Sequence, residues 1–330
     1  MVSDLSPSAF RLLNAWQHGF PLVSRPFRSL GLSVGLGEHA VLEHFQHWTT
    51  LQQISRIGPV LNPACMSSTL AALQVPAHRL QMVADQISAL PEVNHNYERE
   101  HPINLWFVMA CADTPTLHAR LNDIARLTGL TPISLPMLAA YHIDLGFSLT
   151  PAEKKTAGLQ ACDGLPCADT PEHLLLQHVQ HGLALVPEPF QELARLTCLS
   201  EKQVLKQVAT WLRVGLFRRF GVVLHHRALG YQANAMCVWT VPSTQIDQLG
   251  SQLGQQPGVT LCYQRRPHPP EWPHNLFCMI HGQDRRQVLS QHAQINRNLG
   301  LDAFRHDILF SSHCFKQRGA RIPTRVVGHD

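Results

Sequence analysis

The sequence predicts an α+β protein: a winged-helix (HTH) domain joined to a ferredoxin-like βαββαβ domain, present as a tandem repeat. Three observations predict it. A motif returns at constant offset: Gln17-His18-Gly19, Leu22-Val23 and Pro26-Phe27 recur as Gln180-His181-Gly182, Leu185-Val186 and Pro189-Phe190. In the same register Trp48 falls on Trp211, Arg56 on Arg219, Gly58 on Gly221 and Leu61 on Leu224. After a drift of a few residues the match continues, with Tyr97 on Tyr263, Asn104-Leu105 on Asn275-Leu276, Gly129-Leu130 on Gly300-Leu301 and His142 on His313. Similarity over a whole half, rather than at a short period, means two similarly folded units. The third observation is the order of periodicities in each half: three helices and a strand, then strand, helix, strand, strand, helix, strand.

In the first half, apolar residues at helical spacing predict helices over 7–17, 26–31 and 37–50, the first stopped by Gly19. A strand over 54–61 opens a wing hairpin. Strands follow over 65–75, 93–100, 103–112 and 132–147, with helices over 76–90 and 114–128. The second half repeats this with helices over 171–181, 187–196 and 200–213, and Ser200 as N-cap of the third. Its strands run over 232–241, 259–266, 275–281 and 304–315, and its helices over 244–255 and 285–299. The domains are then 1–62 and 171–227 (winged helices) and 63–149 and 228–316 (ferredoxin-like). A Pro-, Gly- and Asp-bearing linker spans 150–170, and a basic tail 317–330.

A chain of 330 residues, 45% apolar and 15% charged, can bury large cores. No apolar run is long enough to span a membrane, and the N-terminus lacks the form of a signal peptide, so a cytoplasmic location is expected. Nine cysteines, most of them inside apolar strands, suit reduced thiols better than a disulfide framework. Cys162 and Cys167 have no second pair near them, and no metal site is expected. A net charge of +4 is a weak nucleic-acid signature. The third helix, which would read the major groove, carries Glu38 and Glu43 and no Lys or Arg in the first half, which argues against DNA as a partner. Gly-rich phosphate loops, GxSxG and HExxH are absent.

The densest polar chemistry lies in Arg213–Trp239 (RVGLFRRFGVVLHHRALGYQANAMCVW). Arg218 and Arg219, with Arg56 in the first half, are either solvated turn residues or a carboxylate clamp, since a guanidinium pairs bidentately with a carboxylate. His225 and His226 point to opposite faces of a strand, and Asn62 stands where the second half has His225. His142 and His313 recur in apolar strands, as hydrogen-bonded core residues or proton donors. Strand alternation puts Tyr97 with Arg99, and Tyr263 with Arg265, on one face, solvent-exposed or lining a pocket.

NHNYEREHPINLWFV (Asn94–Val108) and YHIDLGF (Tyr141–Phe147) resemble one subunit type of the siroheme decarboxylases. GLFRRFGVVLHHRALGYQANAMCVW, WPHNLFCMIHG (Trp272–Gly282) and FKQRGAR (Phe315–Arg321) resemble the other. The resemblance covers nearly the whole chain and implies two subunit types fused into one, on an architecture shared with the Lrp/AsnC transcription factors. It implies removal of two acetate carboxyl groups from siroheme as CO2, giving 12,18-didecarboxysiroheme on the route to heme d1. On that reading Arg56, Arg218, Arg219, Arg99 and Arg265 hold rim carboxylates and Tyr97 or Tyr263 positions an acetate arm. His142, His313 and His225 are the candidates for proton delivery. No cofactor is needed beyond the iron tetrapyrrole substrate, siroheme, whose ring is its own electron sink. Homologous decarboxylase subunits or a second copy are the expected protein partners. The competing expectation is a regulator of the same architecture that senses heme or an amino acid.

Overall fold

The structure, a computed structural model, describes residues 6–143, 165–167, 170–224, 233–319 and 321. Unit 1 contains α1 (Pro7–Ala15), α2 (Pro26–Val34), α3 (Glu38–Thr50), β1 (Ile54–Leu61), β2 (Ser67–Leu73), α4 (Leu80–Ala89), β3 (Val93–Arg99), β4 (Leu105–Cys111), α5 (Thr114–Thr128) and β5 (Ile133–Ile143). Unit 2 repeats the order with α6 (Pro171–Val179), α7 (Pro189–Thr197), α8 (Glu201–Arg213), β6 (Phe217–Leu224), β7 (Ala233–Trp239), α9 (Ile246–Gln255), β8 (Val259–Arg265), β9 (Leu276–Gly282), α10 (Arg285–Leu299) and β10 (His306–Gln317).

Local chemistry sets the helix ends. The Asp113 and Asp284 carboxylates accept from the Thr116 and Gln287 amides at the starts of α5 and α10. Both helices stop where Gly129 and Gly300 turn left-handed, a conformation that costs glycine nothing. Ser200 caps α8 in a reciprocal pair with Gln203.

The eight ferredoxin-like strands close into one barrel in the order β10-β3-β4-β2-β5-β8-β9-β7. Each unit supplies four consecutive strands, and the seams are the antiparallel pairs β10–β3 and β5–β8. Two apolar layers lie outside, between sheet and helices: Val83, Ile87, Phe107 and Ile124 in unit 1, and Leu249, Leu253, Cys278 and Ile295 in unit 2. A third fills the barrel from both units with Leu70, Trp106, Leu135, Met236, Trp272, Phe277 and Leu309.

The winged-helix portions depart from the sequence expectation. No wing hairpin forms within a unit among the described residues; β1 pairs antiparallel with β6 of the other unit instead. The reason lies in the repeated Gln-His-Gly motif, which docks each unit onto the other's wing strand. The Leu183 amide donates to Ile57 O (2.7 Å) and, at the equivalent place, the Phe20 amide to Phe220 O (3.3 Å). Val222 N donates to Trp16 O (2.9 Å). A side chain at Gly221 would strike the backbone oxygens of Trp16 and Gln17, and one at Gly58 would come within 3.0 Å of Gly182 Cα. Both glycines are therefore seams of close backbone approach. The six helices and two wing strands share one core, in which Phe27, Phe45 and Trp48 join Phe190, Trp211 and Phe220.

The cysteine expectation also needs a correction. Cys111, Cys167, Cys198, Cys237, Cys262, Cys278 and Cys314 are free thiols, but Cys65 is disulfide-bonded. It lies in the short turn between the wing and β2, outside the apolar strands on which the expectation rested.

Candidate active site at the wing-side pole of the barrel

Strand register decides which candidates can share a site. Tyr97 pairs with Trp106 and Tyr263 with Phe277, and both partners belong to the core inside the barrel. Cross-strand partners point to the same face, so Tyr97, Arg99, Tyr263 and Arg265 face inward. His142 pairs with Cys262, a residue of the helix-side layer, and its Cβ packs against Gly254 of α9. His313 pairs with Glu98, which alternates out of phase with Tyr97 and Arg99. Its exposed ring lies 4.5 Å from that of Phe315, which packs on the helix side. The structure thus separates the expected set: tyrosines and arginines inside, His142 and His313 outside. Proton delivery by these two histidines has no geometric support from the inward-facing groups. His225 lies outside the described residues.

The arginines divide in the same way. Arg219 is buried, and its Nη1 donates to Gln17 O and, at 3.0 Å, to Val222 O. It bolts the wing to the opposite unit. Arg99 and Arg265 are matched cross-seam staples. Arg99 Nη1 donates to Leu309 O of β10 and Arg265 Nη1 to Leu135 O of β5, both at 2.9 Å. Each guanidinium also lies over its own tyrosine, 5.7 Å from the Tyr97 ring centre and 5.2 Å from that of Tyr263. Arg99 is buried at 6% exposure. Arg265 stays near Arg218, because both act on Tyr263. Burial pushes the Tyr263 hydroxyl up to about 12 against the opposing pull of Arg265 and Arg218, and lowers Arg265 to about 10. Arg218 itself, half-buried on β6, is lowered by burial.

A second cationic group forms where wing 1 meets the end of β10. The Arg56 guanidinium donates to Pro59 O (2.9 Å) and lies flat against Gly319, where a Cβ would sit 2.6 Å from Nη2. The tail continues along the start of β3: Lys316 Nζ donates to Ser88 O and Leu90 O, and Arg318 donates to Pro91 O and Asn94 O. Burial and then Arg321 lower Arg56 to about 10. Lys316 falls to about 8, first by burial and then by Arg318 and Arg321. His181 is lowered by burial and then by Arg321, His178, Arg318 and Arg56. The carboxylate opposing these shifts at Lys316 and Arg318 is Glu92, which is already paired with Arg120 at 2.9 Å. Buried Nε–H groups of Arg56, Arg265 and Arg318 have no acceptor among the described residues. Cations gathered without compensating acid form a seat for an anion. The FKQRGAR segment, which carries part of the resemblance but has no binding role in the sequence expectation, supplies half of it.

Sequence reasoning missed a polar group on the inner face of unit 2. Asn234 and His281 are directly paired across β7 and β9, in line with inward-facing Met236 and Phe277. Asn234 is buried, and its Oδ1 has no partner among the described residues. Thr260 Oγ1 donates to Met279 O (3.3 Å) and lies 3.0 Å from His281 Nδ1. Period-two alternation from Phe277 through Met279 to His281 was the available signal. No group of three or more His, Cys, Asp or Glu side chains suited to a metal ion occurs among the described residues. No helix among them is long and apolar enough to cross a membrane.

Comparison with known proteins agrees with this duplicated architecture. The AsnC-like ligand binding domain matches residues 65–142 and 228–316, and the Siroheme decarboxylase NirDL-like HTH domain matches 10–54 and 172–218. The Siroheme decarboxylase NirDL subunit of Paracoccus denitrificans (strain Pd 1222) is 40% identical over 313 residues, 94% of this chain and 96% of that protein. The Siroheme decarboxylase NirD subunit of Pseudomonas aeruginosa is 48% identical over 149 residues, 45% of this chain and 97% of its own length. Among solved structures, siroheme decarboxylase NirDL in co-complex with an iron-uroporphyrin III analogue superposes with a TM-score of 0.68 at 27% identity, covering 96% of this chain and 92% of that one.

Proposed function

This chain belongs to the siroheme decarboxylase family, and from that premise we propose that it removes two acetate carboxyl groups of siroheme as CO2, yielding 12,18-didecarboxysiroheme for heme d1 synthesis. The observation that carries the proposal is the uncompensated cationic lining of the wing-side pole. Arg218 and Arg265 around Tyr263 form one part, and Arg56, Lys316, Arg318 and Arg321 the other. Siroheme is an apolar disc edged with carboxylates, so it matches cations at the rim and Met279 and Tyr263 toward the ring. From Tyr263, paired with Phe277, to His281 is roughly 13 Å along β9 at ~3.3 Å per residue, the scale of a tetrapyrrole.

The chemistry asks three things of the protein. Cationic side chains fix the rim carboxylates, so the reacting arm is presented in one orientation. Burial next to apolar side chains favours a scissile carboxylate leaving as neutral CO2 over its staying charged. A proton must then reach the methylene carbon, which becomes a methyl group. The electron pair left by CO2 spreads into the conjugated ring of the substrate, so no resident cofactor is invoked. A homologous subunit or a second copy of this chain is the proposed protein partner.

The test is incubation of the purified chain with siroheme under anaerobic conditions, followed by mass analysis. Stepwise loss of two carboxyl groups is the expected result. Tight binding, seen as a shift of the visible spectrum, with unchanged mass would refute the enzymatic reading. Lys316 is charged below its lowered value of about 8 and neutral above it. Affinity for siroheme is therefore expected to weaken as pH rises through 8, and a spectroscopic titration at pH 7 and 9 measures this.

A further inference from the structure

We propose that Asn94 is a substrate-binding residue that holds one arm of the tetrapyrrole inside the barrel as a neutral carboxylic acid. The inference rests on the decarboxylase reading and adds how the site tells one carboxyl arm from another.

A bulge aims the side chain. Asn94 and His95 together oppose Val108, because the β3–β4 pairing slips between Val93 and His95. Val108 packs on the core inside the barrel. Val93 belongs to the helix-side layer, and Asn96 Nδ2 donates to Ala84 O of α4 at 3.0 Å, so the residues flanking the pair face outward. The same slip recurs in β8 between Val259 and Leu261, where Thr260 is the extra residue. Thr260 Oγ1 lies 3.0 Å from Nδ1 of the inward-facing His281, so its counterpart Asn94 faces inward as well.

The repeat also shows what is unusual at this place. Thr260 has polar neighbours in Met279 O and His281. The residues of β4 that match Met279 and His281 are Val108 and Ala110, whose side chains offer nothing polar. Asn94 is 1% exposed, and neither its Oδ1 nor its Nδ2 has a partner among the described residues. An unpaired buried amide opposes folding, so folding alone favours a less polar residue at this bulge. Asn94 O accepts from Arg318 N (2.9 Å), which ties this strand segment to the cationic tail.

A free amide presents a donor and an acceptor side by side. A carboxylic acid presents the complementary pair, so the two join through two hydrogen bonds, and turning the amide over leaves the match intact. A carboxylate has acceptors only and would set one oxygen against Oδ1. Burial also opposes the charged form and can carry a carboxyl from its usual ~4.3 to about 8–9, enough to keep it protonated at pH 7. The cations of the pole then hold ionised arms, and Asn94 holds a neutral one. Because CO2 leaves from a carboxylate, an arm kept as the acid is one that the product retains.

The experiment compares the wild-type chain with Asn94→Leu and Asn94→Thr, the second installing the residue of unit 2 at the same bulge. Iron-uroporphyrin III, another carboxylate-edged disc, is the probe; mass analysis checks that its arms stay intact, so binding is read apart from turnover. Calorimetric titrations at pH 7 in buffers of different ionisation heat count the protons taken up on binding. Wild type should take up one proton more than either variant. Affinity should fall about 10-fold in the leucine variant, as for two lost neutral hydrogen bonds, and less in the threonine variant, which keeps a hydroxyl. The urea midpoint of Asn94→Thr should match wild type, and a large drop would make the amide structural and overturn the proposal. Wild-type affinity with wild-type proton uptake in Asn94→Leu, or in Asn94→Thr should the leucine variant fail to fold, would also overturn it. A wild-type chain that binds siroheme and releases no CO2 would instead overturn the decarboxylase reading beneath it, while the proton count would stand.

Discussion

Units 1 and 2 place the same helices and strands around the same barrel, yet at matched positions they carry different chemistry. Where unit 1 has Ser68 and Ala110 on the inner face, unit 2 has Asn234 and His281. Where unit 1 buries Ile103 and Leu121, unit 2 buries His274 and His292. The wing strands differ too: Ser55 in β1 stands where β6 has Arg218, while Arg56 and Arg219 coincide. The contrast teaches that the duplicated frame is held by the residues the halves share. The reactive and titratable groups concentrate where the halves have diverged.

The largest expected effect tests the shared part. Gly221→Ala drives a methyl group into the Trp16 and Gln17 carbonyls, which are backbone and cannot swing away. A loss of about 3 kcal/mol in urea denaturation is expected, at the upper end of overpacking penalties. Gly58→Ala, with 3.0 Å to Gly182 Cα, should lose only ~1 kcal/mol. Equal losses would mean that the two docking seams are equally tight.

A smaller effect separates two neighbours in sequence. Arg219→Ala strips the donor from Gln17 O and Val222 O inside the protein and should lower stability by roughly 2 kcal/mol. Arg218→Ala should leave the unfolding midpoint nearly unchanged while weakening siroheme binding about 10-fold, as expected for one lost charge-assisted contact. The opposite pattern would make Arg219 the ligand-binding residue of the pair.

The smallest effect depends on pH. Burial, then the neighbouring His306, pushes His292 down to about 4 from its usual 6.5; burial, then Arg305, does the same to His274. Above pH 6.5 neither folded nor unfolded chain protonates these rings. As pH falls from 6.5 towards 4 the unfolded chain takes up protons that the folded one refuses. Each ring then removes up to about 1.4 kcal/mol of stability per pH unit. His292→Leu, which installs the residue of unit 1, should flatten this slope by one ring's share between pH 7 and 5. Unfolding midpoints at the two pH values measure it.

Much of this architecture was legible in the sequence because it depends on local signals. Thr114–Thr128 and Arg285–Leu299 are helices over the residues that the sequence pattern predicts, and Ser200 caps α8 as its hydroxyl suggests. The crossed pairing of β1 with β6 was not legible, since a strand next to three helices reads equally as half of its own hairpin. Nor was the outward placement of His142 and His313. Each seam strand carries irregular pairing before its histidine, between Ala140 and His142 and between Ser311 and His313, and such a break reverses the face that simple alternation would assign. His281 was overlooked for the converse reason. Alone at the end of an apolar strand it reads as a core histidine, and Thr260, the residue that gives it meaning, is 21 positions earlier and adjacent only through the β8–β9 register.

The closed ring of strands carries one more implication. Separated from each other, the halves would each expose two unpaired strand borders, β3 and β5 in one and β8 and β10 in the other. Bare borders of that kind recruit any passing chain with matching main-chain donors and acceptors, and lead to aggregation. Carrying both halves on one polypeptide keeps the proper mate always at hand, so the newly made protein can seal its own rims before a stranger does.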